Sequence, residues 1–102
     1  MVEDGIKYIA DHYGLHHQLQ KSKEEILEYY EAIVEVETAM RIGTAADVAK
    51  ALNHLAEEGA DTHIMLDQVS YLTHTEKVRE NFRKFKIDRQ LKRIETGVQE
   101  AK

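Results

Sequence analysis

The stretch Ala51-Leu52-Asn53-His54-Leu55-Ala56-Glu57-Glu58-Gly59-Ala60-Asp61-Thr62-His63-Ile64-Met65-Leu66-Asp67-Gln68-Val69-Ser70-Tyr71-Leu72 decides the fold. Steps of four and three along it select Ala51, Leu55, Glu58, Thr62, Met65, Val69 and Leu72, the core-facing line of an amphipathic helix with one acid set inside it. Thr44, with Asp47 three residues on, has the form of an N-cap and capping-box acid, so this helix begins just after Gly43. Before Gly43, a second helical pattern runs through Leu15, Leu19, Ile26, Tyr30, Ile33 and Met40. Ile6, Ile9, Ala10 and Tyr13 predict a short first helix over about residues 2 to 13, closed by Gly14. Beyond Leu72, Thr73 with Glu76 repeats the start signal for a fourth helix. Val78, Phe82 and Phe85 form one stripe on it, and Ile87, Leu91 and Ile94 continue on a drifting one. Gly97 marks its end, and the tail to Lys102 is expected to fray.

The expected fold is all-α: one domain over residues 1–102, resembling an antiparallel four-helix bundle with long second and third helices and short connections. The absence of Pro, with only 5 Gly among 102 residues, agrees with long helices. A chain this short buries a limited share of its surface, and apolar positions fall on more than one face of the long helices. A homodimer or homotetramer is therefore expected.

Composition removes several functions. The absence of Cys excludes disulfides and thiolate metal sites and fits a reducing interior. No apolar run approaches the roughly 20 residues of a membrane span, and Met1-Val2-Glu3-Asp4 lacks the pattern of a signal peptide, so the sequence reads as cytoplasmic with no membrane partner. A formal net charge of −5, from 19 acidic and 14 basic residues, argues against nucleic-acid binding through a broad basic surface.

Two acidic clusters carry the chemistry: Glu24-Glu25-Ile26-Leu27-Glu28, and Glu57-Glu58-Gly59-Ala60-Asp61. Within each, carboxylates recur one helical turn apart and so share a face. Glu58 takes a place where an apolar residue belongs, and Asp61 lies one turn on at the edge of the same stripe. On the preceding helix the line Glu25, Tyr29, Ala32, Val36 and Ala39 also starts with an acid, flanked by Glu28. Four converging carboxylates are costly unless protonated, paired or bound to metal. One hard divalent cation, magnesium or alternatively manganese, explains all four together. Glu31 and Glu35 fall on the opposite, wet face, as does Glu24 by spacing, although Glu24 remains a candidate outer base. Gly59 inside a helix suggests close approach by another helix or a ligand.

With both clusters in view, the chain resembles the all-α nucleoside triphosphate pyrophosphohydrolases, the MazG-like group that includes the dimeric dUTPases. Their signature is Glu-Glu-x-x-Glu on one helix and Glu-x-x-Asp on the next, matched here by Glu24, Glu25 and Glu28, then Glu58 and Asp61. Further blocks are similar to small phage- and prophage-type members: Ile9-Ala10-Asp11-His12-Tyr13-Gly14, Asp61-Thr62-His63-Ile64-Met65-Leu66-Asp67-Gln68, and Lys86-Ile87-Asp88-Arg89. The spacer from Glu28 to Glu58 is longer than in many members, and Gly59 stands where an aliphatic residue is common. The resemblance implies magnesium-dependent cleavage of a nucleoside triphosphate between its α and β phosphates, giving a monophosphate and pyrophosphate. It further implies Glu25, Glu28, Glu58 and Asp61 as metal ligands, Glu24 as orienting or deprotonating the attacking water, and Lys86 and Arg89 as phosphate contacts. Phe82, Lys86, Arg89 and Arg93 do lie on one line of the last helix.

Other chemistry is weaker. His12 and His16 have i, i+4 spacing but flank Gly14, so these two and His17 read as surface residues near a turn. His54 and His63 flank the second cluster, and Tyr29 and Tyr30 follow the first as core, contact or base-stacking residues. A di-iron carboxylate bundle needs Glu-x-x-His on two helices, and none of the 6 histidines has Glu three positions before it. The competing class of function is a non-enzymatic helical interaction module.

Overall fold

The computed structural model describes residues 3–97. Three helices follow in order: α1 Asp4–Ile42, α2 Ala45–Leu72 and α3 Glu76–Thr96. The all-α expectation holds among the described residues, and the expected fraying of the tail to Lys102 lies outside them.

The four-helix bundle is corrected to three helices, for two physical reasons. First, the segments on either side of Gly14 join without a connecting loop. Gly14 leaves helical geometry, at φ 83° and ψ 164°, so the helical run is interrupted there as its sequence predicts, and the two segments meet directly at a kink and count together as α1. That conformation is open essentially to glycine. Gly14→Ala is expected to cost about 1–3 kcal/mol through backbone strain, although its Cβ would meet nothing within 4 Å. Urea denaturation checks this, and an unchanged midpoint would contradict the assigned strain.

Second, α3 does not complete a bundle. α1 and α2 form an antiparallel hairpin, as the cross-helix hydrogen bonds Gln18 to Gln68, Thr62 to Glu25 and His54 to Glu35 run in opposite sequence directions. α3 meets only the end of α2, where the Arg79 guanidinium reaches Asp67 at 2.8 Å and Ser70 at 2.7 Å. None of its residues is buried. The chain is consequently open, with a radius of gyration of 17.1 Å against about 13 Å for a compact domain of similar length.

The α1–α2 connection has the expected chemistry. The Asp47 N–H donates to Thr44 Oγ1 at 3.2 Å and the Thr44 N–H to Asp47 Oδ2 at 2.9 Å, a complete capping box. Donation from the Thr44 backbone, then the contact with its side chain, holds the Asp47 carboxyl below its ordinary 3.8. A depressed folded-state value means that this stabilisation is full above the ordinary value and disappears as pH falls through the lowered one. Asp47→Asn should flatten that part of the acid unfolding curve, and an unaltered acid limb would contradict it.

At the second turn the expected start moves by two residues. Thr73 is the C-cap of α2, its hydroxyl donating to the Val69 carbonyl at 2.7 Å, and Thr75 precedes α3. His74, at φ 58°, takes the left-handed turn between them. The Thr73 hydroxyl is thus engaged with the helix behind it and does not cap the one ahead.

Between α1 and α2 the two lines read from the sequence face each other. Ala32, Ala51, Met65, Glu25 and Glu58 are buried, and Tyr29, Val36, Leu55, Thr62 and Val69 half-buried. The interior is rich in polar groups: Gln18, Glu25, Glu58, Gln68 and Ser70 are buried beside only Ala10, Ala32, Ala51 and Met65 as apolar residues. The other apolar line of α1, with Leu19, Ile26, Tyr30, Ile33 and Met40, is exposed. Among the described residues no helix is long and apolar enough to cross a membrane.

Candidate metal centre

The hairpin brings α1 and α2 close enough at their midpoints for the two acidic clusters to meet. Gly59 permits this: a Cβ there would lie 3.3 Å from the Tyr29 ring of α1. The close approach suggested by the sequence is thus helix against helix. Thr62 fixes the register by donating its hydroxyl to the Glu25 carbonyl at 3.2 Å. One carboxylate oxygen from each of Glu25, Glu58 and Asp61 then lies within 4.8 Å of the others. Oxygens shared by one octahedral magnesium are at most about 4.2 Å apart, twice its bond length of about 2.1 Å. A small side-chain rotation closes the difference.

Glu25 and Glu58 are only 7% and 8% exposed, and each satisfies one oxygen while leaving the other bare. Lys21 Nζ lies 3.3 Å from Glu25 Oε1 and 3.5 Å from Glu24. His54 Nε2 lies 3.2 Å from Glu58 Oε1, while its Nδ1 lies 3.3 Å from Glu35. Oε2 of both buried glutamates has no hydrogen-bond partner. A bare buried carboxylate oxygen is expensive, and two members of the cluster each carry one. All-oxygen donors of this charge suit magnesium or manganese and do not suit a thiophilic ion.

Glu28 does not belong to the tight triplet. It is solvent-exposed as a residue, yet its carboxyl is raised above the ordinary range, first by lost hydration and next by the negative charge and hydrogen-bonding reach of Glu58. It therefore feels the cluster from the rim. Glu24 stands at the rim as well, exposed and paired with Lys21. Bonding to Glu25, then the charges of Glu25 and Glu24, hold the Lys21 ammonium above its ordinary value. The bond to Glu35, followed by the charges of Glu35 and Glu58 against some lost hydration, raises His54. Glu35, read from the sequence as a wet-face residue, is exposed and supports this histidine from behind.

Lys86 and Arg89 lie apart from this centre. They sit on α3, which contacts α2 alone, and among the described residues no ion pair joins them to Glu25, Glu28, Glu58 or Asp61. Arg89 packs its guanidinium 5.6 Å from the Phe85 ring centroid, with a buried Nε that lacks a partner.

A cavity of about 540 Å³ opens directly onto the carboxylates, lined by Glu24, Glu25 and Asp61 at one end and by Tyr13, His17, Gln18 and Gln68 at the other. Sequence reasoning missed Lys21, Gln18 and Gln68. Lys21 was detectable as the i−4 partner of Glu25, whereas a glutamine on a helix gives no signal that it faces inward. A second cavity of about 510 Å³ lies at the α1–α2 connection beside Thr38, Gly43 and Asp47, away from the cluster. No protein-family model, curated protein or solved structure matches the chain.

Proposed function

We propose that the chain is a magnesium-dependent nucleoside triphosphate pyrophosphohydrolase of the MazG-like all-α group, cleaving between the α and β phosphates. The observation that carries this reading is the gathering of one carboxylate oxygen each from Glu25, Glu58 and Asp61 on adjacent helices, in two buried glutamates that each keep one oxygen without a partner. A triphosphate cannot approach such a cluster until a cation inverts its charge.

Glu25, Glu58 and Asp61 would hold the ion, with Glu28 joining from the rim. A cation held there would supply neutralisation of phosphate charge and a more acidic bound water as the nucleophile. Glu24 accepts the proton of that water. Lys21 balances the carboxylates, and its flexible stem gives the ammonium reach to a phosphate oxygen of a bound triphosphate.

The same reading includes a homodimer or homotetramer acting in the cytoplasm. The accessible surface is 8088 Å², against about 5,900 Å² for a compact monomer of 11.8 kDa. An excess of about 2,200 Å² per chain, or about 4,400 Å² for a pair, falls in the range that obligate subunit interfaces remove from water. Phe82 and Phe85 on α3, and Leu19, Ile26 and Ile33 on α1, supply the apolar part. Packing α3 against a second copy is the route by which Lys86 and Arg89 reach phosphate. Light scattering should give at least twice the chain mass, and a strictly monomeric mass would contradict this assembly.

Pyrophosphate release from a panel of nucleoside triphosphates, with and without magnesium, tests the activity. Metal-dependent release from at least one nucleotide is expected. Release from none would leave the non-enzymatic helical module as the function.

A further inference from the structure

The cavity beside the carboxylates ends in a polar chain that no step of the proposed hydrolysis uses. The His17 Nδ1–H donates to Gln18 Oε1 at 2.7 Å, and Gln18 Nε2 donates in turn to Gln68 Oε1. Gln18 and Gln68 are 3% and 2% exposed, so both amides have left bulk water. Two consecutive acceptors are thereby filled, which fixes the polarity of the chain: its last member, the Gln68 amide nitrogen, has N–H groups to give. That nitrogen lines the cavity and is not among the buried atoms that lack a partner, so it opens to the cavity's solvent. An amide donor held in place by its own carbonyl and opening into a cavity can exchange its solvent contact for an acceptor on a ligand.

The rest of the cavity indicates what carries that acceptor. Tyr13 and His17 stack with ring centroids 4.8 Å apart and planes 18° from parallel, and both line the same space. A flat aromatic pair beside a hydrogen-bonding edge receives a planar heterocycle. Gln18 precedes Glu25 by seven residues on α1, and Gln68 follows Asp61 by seven on α2. Both helices therefore separate the amide end from the carboxylate end by about 10 Å, the reach from a nucleobase edge to its 5′ phosphate.

We infer that Gln68, oriented through Gln18 and His17, selects nucleotides whose base presents a carbonyl oxygen and rejects those with an exocyclic amine at the same position. This rests on the pyrophosphohydrolase reading for the placement of the phosphates. A base amine set against the Gln68 N–H groups would leave two donors facing each other. Sites that hydrogen-bond a substrate group discriminate sharply against a mismatched one.

The test compares two pairs differing at that position: dUTP with dCTP, and dITP with dATP. In each pair kcat/KM is expected to favour the carbonyl member by about tenfold or more. Gln68→Glu replaces the free donor by an acceptor and should reverse the preference, while Gln68→Met should level it without abolishing turnover. Calorimetric binding of dUMP and dCMP to the wild-type protein with magnesium reads the same preference independently of catalysis. Should no triphosphate be turned over, tighter dUMP binding would still support the base selection while the hydrolase reading fell. Equal affinities and rates within both pairs, a preference for the amino members, or a carbonyl preference surviving both Gln68 variants would overturn the inference and leave the metal centre untouched.

Discussion

Glu58→Gln lowers magnesium-dependent pyrophosphate release by more than about 100-fold, since loss of a partner merely supporting a metal ligand already costs 10–100-fold. The same substitution is expected to make the metal-free protein more stable, and that opposite sign is the informative part. Glu58 is 8% exposed, its Oε1 pairs with His54, its Oε2 lacks a hydrogen-bond partner, and the like charges of Glu28, Glu25 and Asp61 crowd it. Replacing a poorly compensated buried charge by a neutral amide of equal size removes a desolvation cost. A residue placed only for packing would lose stability and activity together. Paired activity and denaturation measurements distinguish the cases: a less stable metal-free Glu58→Gln protein would show that the carboxylate serves the fold and not a cation.

Magnesium should raise the melting temperature of the wild-type chain by about 10 °C or more when present at 100 times its dissociation constant. Binding to the folded state alone contributes about 2.7 kcal/mol at that excess, and each kcal/mol shifts the midpoint of a domain of about 100 residues by about 4–8 °C. The effect originates in the gathering of Glu25, Glu58 and Asp61 within 4.8 Å, a grouping that the unfolded chain lacks. Glu25→Gln, which leaves the capping box at Thr44 and the kink at Gly14 intact, should remove most of the shift. A melting curve indifferent to magnesium would contradict a formed site.

Much of this was legible before any coordinates. The line Ala51, Leu55, Glu58, Thr62, Met65 faces α1 because a single apolar stripe leaves an amphipathic helix one way to pack. The acids within the stripe are the buried ones, and Thr44 with Asp47 caps as its spacing requires. Other features depend on three-dimensional context. Gly14 announced a break, but whether glycine ends a helix or only bends it depends on what lies on both sides. Thr73 carried the start signal, but the left-handed turn at His74 places the N-cap of α3 two residues later, at Thr75. The stripe on α3 was visible, yet a stripe does not name its partner, and within one chain α3 has almost none. Glu28 stands outside the tight triplet although it shares the face of Glu25: its exposed carboxylate meets Glu58 from the rim, a placement that spacing alone does not give.

The central claim is that carboxylates from two adjacent helices share one cation. Titration of the metal-free protein with manganese, followed by electron paramagnetic resonance of the free ion, tests it most directly. The account predicts saturable binding at the carboxylate cluster, competed by magnesium and lost in both Glu25→Gln and Glu58→Gln. Manganese that stays free at millimolar concentration, or binds those variants as tightly as the parent, would contradict it.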